Sequence, residues 1–147
     1  MSTNKQVRGL RNNNPLNIVR NPHFCWLGEV KENDDKTFVK FETMAQGCRA
    51  ALKLLRVYYE KHKCNTISRI IRRWAPETEN NVQAYIKTVS GLTGITPTTL
   101  LPPMKEETKT VWCDLLVAMA SVECGLNPQG REDMAGHADI AWQLLNP

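Results

Sequence analysis

The spacing of apolar residues predicts a largely helical chain. Ala45, Cys48, Leu52, Leu55 and Tyr59 recur at intervals of three and four behind Thr43, a good N-cap, which predicts a helix from Thr43 to about Tyr59. Ile67, Ile70, Ile71 and Trp74 repeat the pattern over about Thr66 to Trp74, where Pro76 forbids simple continuation. Val82, Tyr85, Ile86 and Val89 predict a helix from about Asn80 to Ser90, with Gly91 as its stop. The longest apolar stripe, Trp112, Leu115, Leu116, Met119 and Val122, predicts a helix from about Lys105 to Cys124 closed by Gly125. Met134, Ala138, Ala141, Trp142 and Leu145 predict a last one over Glu132–Leu145, and the proline-rich stretch Leu92–Pro103 reads as connecting loop.

Ahead of Thr43 the pattern changes. Residues 1–21 are polar and centre on Asn12-Asn13-Asn14-Pro15, whose amides compete with regular backbone pairing, so a loop region is expected. The β-formers of Trp26–Lys31 and Lys36–Phe41 flank Glu32-Asn33-Asp34-Asp35, which predicts a hairpin over 26–41 with Asp34 and Asp35 as turn formers. The expected fold class is mainly α (α+β): about five helices and one small β-hairpin in a single domain over residues 1–147, with the helical part over 43–147.

Composition narrows the function classes. With 147 residues, 41% hydrophobic and 23% charged, the chain has the mix of a folded globular domain. No apolar run approaches the roughly 18 residues of a membrane span, and the polar N-terminus lacks the apolar stretch of a signal peptide, so synthesis in the cytoplasm is expected. The five cysteines have no paired spacing and read as reduced thiols, Cys48 and Cys113 in the core, with Cys124 beside Glu123 as the one candidate nucleophile. His23, His62 and His137 are isolated, which gives no metal site, and neither a phosphate-binding glycine loop nor a serine-hydrolase elbow is present; no cofactor is expected. Charge is uneven, with fifteen Lys and Arg against six Asp and Glu up to Ala75, and four against nine from Pro76 onward. The basic half suits an anionic partner or is a set of solvated helix backs, as Arg69, Arg72 and Arg73 beside Trp74 illustrate; no specific nucleic-acid partner is expected.

Glu123 is the carboxylate hardest to read as surface decoration. It continues the stripe of Leu116 and Met119 into the last helical turn, where the dipole disfavours negative charge and partial burial adds to that cost. A carboxylic acid kept protonated in this way suits protonation of a glycosidic leaving-group oxygen. A helix-end glutamate that reaches water or pairs with an arginine is the alternative. Glu29, just after Trp26-Leu27-Gly28, is the second choice of catalytic acid, with Trp26 offering a sugar-stacking ring.

Arg8-Gly9-Leu10-Arg11-Asn12-Asn13-Asn14-Pro15-Leu16-Asn17-Ile18, Trp26-Leu27-Gly28, Gly47-Cys48-Arg49-Ala50 and Arg73-Trp74-Ala75-Pro76 together resemble a family of bacteriophage and prophage proteins, some similar to peptidoglycan-degrading enzymes. Leu16 departs from the glycine that pattern implies after Pro15. Ala118 to Pro128 resembles the helix end of lytic transglycosylases, where a catalytic glutamate precedes a small residue, a glycine and Asn-Pro; Cys124 stands where a serine is usual. The Asn13–Ile18 and Trp26–Gly28 segments resemble the loop that follows that glutamate in related glucosaminidases, here preceding it, so the resemblance implies a circularly permuted lysozyme-like fold. It further implies Glu123 as general acid, with Asn13, Asn14, Asn17 and Trp26 binding substrate and facing one cleft with it. Partners would be peptidoglycan glycan strands and virion proteins, at the cell wall or in a virion. The alternative function is a non-catalytic virion structural or cell-wall-binding module.

Overall fold

The computed structural model of the protein describes residues 6–75 and 78–145; the expected stop at Pro76 and residues 1–5 of the Asn-rich region lie outside them. The fold is mainly helical. Among the described residues, α1 spans Arg8–Arg11, α2 Met44–Glu60, α3 Ile67–Trp74, α4 Glu79–Thr93, α5 Lys109–Cys124 and α6 Pro128–Leu145, with a 3-10 turn over Glu106–Thr108 leading into α5.

α5 is the central helix, packed by α1, α2, α4 and α6, and its Trp112, Leu115, Leu116, Met119 and Ala120 are fully buried. Burying leucine- or methionine-sized side chains contributes roughly 1.5–3 kcal/mol each, so this stripe orders the bundle. Two tryptophans also satisfy their indole N–H at its edge: Trp112 donates to Pro102 O at 3.2 Å, and Trp142 of α6 to Glu106 Oε1 at 3.0 Å.

Local chemistry sets the helix ends. The hydroxyls of Thr43, Thr66 and Thr78 accept from the backbone N–H groups of Gln46, Arg69 and Asn81 at the starts of α2, α3 and α4. α4 runs through Gly91, the expected stop, and ends instead at Gly94, which takes the left-handed conformation at φ 74°. α6 starts earlier than Glu132, because Pro128 suits the first helical position and Asn127 Oδ1 accepts from Gly130 N at 2.7 Å.

The region before α2 departs from expectation in two ways. Residues 8–11 of the expected loop form the one turn of α1, which presses on the end of α5; a side chain at Gly9 would meet Cys124 Sγ at 2.7 Å. The expected hairpin over 26–41 is not a ladder: the described residues hold two isolated antiparallel bridges, Val19 with Phe38 and Glu29 with Phe41. The reason is that residues 37–42 divide their backbone pairing between two neighbours. Val39 N donates to Ile18 O and receives company from Arg20 N on Thr37 O, while Val30 N donates to Lys40 O and Glu42 N to Gly28 O.

Asp35 is more than a turn former. Buried at 7% exposure, it accepts from Arg8 Nε at 2.7 Å, Arg8 Nη2 at 2.9 Å, Asn12 Nδ2 at 2.9 Å and the backbone N–H of Thr37 and Phe38. The Arg8 guanidinium holds its carboxyl far below the usual carboxylate range. This hub ties α1 and the Asn-rich loop to the 33–38 turn.

Candidate active site

The asparagine run builds a rigid corner. Asn14 is fully buried; its Nδ2 donates to Ile18 O at 3.0 Å and Val39 O at 2.8 Å, and its Oδ1 accepts from Ile18 N at 2.8 Å. Asn13, at φ 52°, donates to Phe41 O at 3.0 Å. These amides take the place of strand pairing and fix the loop on residues 39–42. α2 seats the same loop by close approach, since a Cβ on Gly47 would fall 1.9 Å from Asn13 O.

That corner presents Asn17 to the end of α5. Asn17 adopts φ 54°, a left-handed conformation that asparagine tolerates better than most residues. Its Nδ2 donates to Glu123 Oε1 at 3.1 Å, while Cys124 Sγ donates to Pro15 O at 3.5 Å, so two successive residues of α5 grip the loop. Glu123 is half-buried in the last turn, one residue before Cys124 and two before Gly125, whose φ of 64° closes the helix.

The second carboxylate oxygen faces α4. Tyr85 Oη donates to Glu123 Oε2 at 3.0 Å and also lies 3.5 Å from Met119 O. Burial, reinforced by the Glu123 carboxylate, drives the Tyr85 hydroxyl far above its ordinary value, so it remains a donor throughout the useful pH range. Glu123 is thus held from both sides, by an amide of the Asn-rich loop and a phenol of α4. The resulting unit is a carboxyl group kept in one orientation near the protein surface, able to give up or take a proton at a fixed point.

Of the residues nominated from sequence, Glu123 and Asn17 are in direct contact. Asn13 and Asn14 are spent on backbone carbonyls, and Asn14, being buried, does not face a common cleft with Glu123 and Trp26. Trp26 is half-buried against the cluster of Ile18, Val39, Phe41 and Ala50 and meets the exposed Phe24 ring edge-on at 4.6 Å. Glu29 Oε1 accepts from Trp26 N at 3.0 Å, a local turn bond. In sequence Tyr85 looks like one more apolar position; its signal is a phenol where Leu or Phe would pack as well, since a buried hydroxyl requires a partner.

The nucleophilic alternative at Cys124 is not supported. Burial, with the Glu123 charge beside it, pushes the Cys124 thiol up to about 11, and Cys48 is pushed up to about 12 by burial, so both are protonated thiols near neutrality. Among the described residues no group of His, Cys, Asp and Glu gathers to hold a metal ion, and no helix is long and apolar enough to cross a membrane.

No protein-family model matches the chain. It is similar to Protein P5 of Pseudoalteromonas phage PM2, with 39% identity over 127 residues, covering 85% of this chain and 76% of that protein.

Proposed function

The chain belongs to the family of Protein P5 of Pseudoalteromonas phage PM2, and on that premise we propose that it is a phage lysozyme-like domain that cleaves the β-1,4 glycan backbone of peptidoglycan, with Glu123 as general acid. The contact of Asn17 with Glu123, completed by Tyr85, carries this reading. Two segments that separately resemble parts of lytic transglycosylases and glucosaminidases meet at one carboxyl group, as a permuted version of such a site requires. Glu29 is the weaker candidate because its carboxylate caps the Trp26 turn.

In the proposed reaction Glu123 gives its proton to the glycosidic oxygen as the bond to the anomeric carbon breaks. The carboxylate then removes a proton from the hydroxyl that attacks that carbon, either from water, giving hydrolysis, or from the sugar itself, giving an anhydro product. Asn17 Nδ2 and Tyr85 Oη hold the carboxylate during the interval when it is charged. Trp26 supplies an aromatic face for the glycan, the Asn-rich loop acts by positioning Asn17 against Glu123, and delivery to the cell wall would be as part of a virion.

Incubation of the purified chain with peptidoglycan sacculi, followed by analysis of the released fragments, tests this. Turbidity should fall, and new reducing ends or anhydro ends identify the acceptor. Binding to sacculi without any cleavage would instead make the chain a virion or cell-wall-binding module.

A further inference from the structure

Between Met44 and Ala75 the chain carries eight lysines and arginines against one glutamate, and five of the eight are arginines. α3 turns its apolar side inward through Ile67, Ile70 and Ile71, which leaves Arg69, Arg72 and Arg73 exposed together. Lys61 and Lys63, also exposed, extend this edge across the turn from α2. Among the described residues one ion pair reaches the segment, Arg72 with Glu79 at 3.0 Å.

Arg69 and Arg73 are ordered by neutral partners. Arg73 lies over the Tyr58 ring, 5.2 Å from its centroid, with Nη2 3.2 Å from His62 Nε2, and Arg69 Nη1 donates to Asn65 Oδ1 at 3.3 Å. Guanidinium groups held in this way lose little freedom on meeting an anion, and their planar fork suits phosphate oxygens. The half-buried Arg49, Lys53 and Arg56 of α2 add to the positive field, and burial together with the two arginine charges lowers the Lys53 ammonium below its ordinary value.

We propose that the exposed edge formed by α3 and the 61–63 turn binds the phosphodiester backbone of double-stranded nucleic acid without reading its sequence, independently of the chemistry at Glu123. A membrane surface fits less well, because none of the exposed large apolar residues of the chain lies between residues 44 and 75, and charge without apolar anchors gives poor interfacial binding. A neutral glycan backbone offers guanidinium groups no anion to pair with. Binding of this kind depends on displaced counterions, so it is strong in dilute buffer and fades toward physiological salt.

The test is fluorescence anisotropy of a labelled mixed-sequence duplex of about 20 base pairs with the full chain, over a series of salt concentrations. With Lys61, Lys63, Arg69 and Arg73 engaged, log affinity should fall against log salt with a slope of about −3 to −4. The double variant Arg69→Gln with Arg73→Gln should lose about 2 from that slope and bind at least about 10-fold more weakly in dilute salt. Lys61→Gln with Lys63→Asn should behave alike, asparagine suiting the φ of 58° at residue 63, and carries the test if the arginine variant does not fold. Glu123→Gln should bind as the parent does, which separates this result from the fate of the lytic reading. No duplex binding in dilute salt, an unchanged slope in the folded variants, or tighter binding to phosphatidylglycerol vesicles than to duplex overturns the proposal.

Discussion

Asn17 and Glu123 stand 106 residues apart in sequence, yet the Asn17 side-chain amide donates to Glu123 Oε1 at 3.1 Å. The bond joins the loop corner, held by Asn13, Asn14 and Gly47, to the last turn of the central helix. Anything that shifts the corner therefore shifts a donor of the candidate acid. The two elements hold one arrangement because the backbone on each side is independently fixed, by asparagine amides on one and by the buried stripe of α5 on the other.

Glu123→Gln preserves the shape of the side chain and removes the transferable proton. General acid catalysis typically contributes about 10²–10⁴-fold, so peptidoglycan cleavage should drop by that factor while sacculus binding persists. Thermal unfolding on the same preparation should shift by only a few degrees at most, roughly the effect of 1 kcal/mol or less. Full lytic activity in this variant would remove Glu123 from the mechanism.

Tyr85→Phe keeps the buried ring and deletes one donor to the carboxylate. The ring packs as before, so stability should change by no more than about 1 kcal/mol. A hydrogen bond to the charged form favours that form, and its loss should move the alkaline limb of the pH–rate profile upward, with turnover reduced roughly 10-fold. A purely packing role for Tyr85 would leave the profile unmoved.

How much of this was legible beforehand depended on whether the signal was local. The helices were readable because Ile67, Ile70, Ile71 and the stripe from Trp112 to Met119 repeat with the helical period, and that period is decided by residues within two turns of one another. The sequence does not mark the end of α4, since Gly91 and Gly94 look alike there, while of the two Gly94 adopts a positive φ. Asp35 looks like a simple turn former in sequence because its partner Arg8 lies 27 residues earlier, beyond any local pattern. The 26–41 segment contains β-formers, but its pairing is shared with residues 18–20, a tertiary choice that alternation cannot express. In the candidate site, Glu123 stood out as a charge continuing an apolar stripe, whereas Tyr85 matched its stripe and so concealed its second role.

Gly47→Ala tests how the loop corner is seated. A methyl group there would fall 1.9 Å from the backbone oxygen of Asn13, which is not the end of a flexible side chain and can yield only by moving the loop off α2. Overpacking of this kind costs typically about 1–3 kcal/mol, and here the displaced loop carries Asn17 with it. Both stability and lytic activity should fall, and a crystal structure of the variant should show the Asn17–Glu123 distance lengthened. Gly91→Ala is the matched control. Beyond its chain neighbours and the local helix backbone nothing lies within 4 Å of its Cβ position, and the residue sits inside α4, so the substitution should raise stability by a few tenths to about 1 kcal/mol.

The Asp35 hub predicts how the protein responds to acid. The folded-state carboxyl is held well below its unfolded value, chiefly by Arg8, with Asn12 and the Thr37 and Phe38 amides adding to the effect. A depressed acid contributes stability that is present above the unfolded pKa of about 3.9 and is lost as pH falls below it toward the folded value. Unfolding monitored by circular dichroism should accordingly show Tm nearly flat from neutrality to about pH 5, then declining steeply below about pH 4. Asp35→Asn removes the charge at every pH and leaves Arg8 without its buried partner. Its Tm should be lower by roughly 5 °C or more at neutral pH, and its acid limb should be shallower than that of the parent. If the limb of Asp35→Asn instead parallels that of the parent, the acid sensitivity belongs to other carboxylates, and the tie between α1 and the 33–38 turn does not govern it.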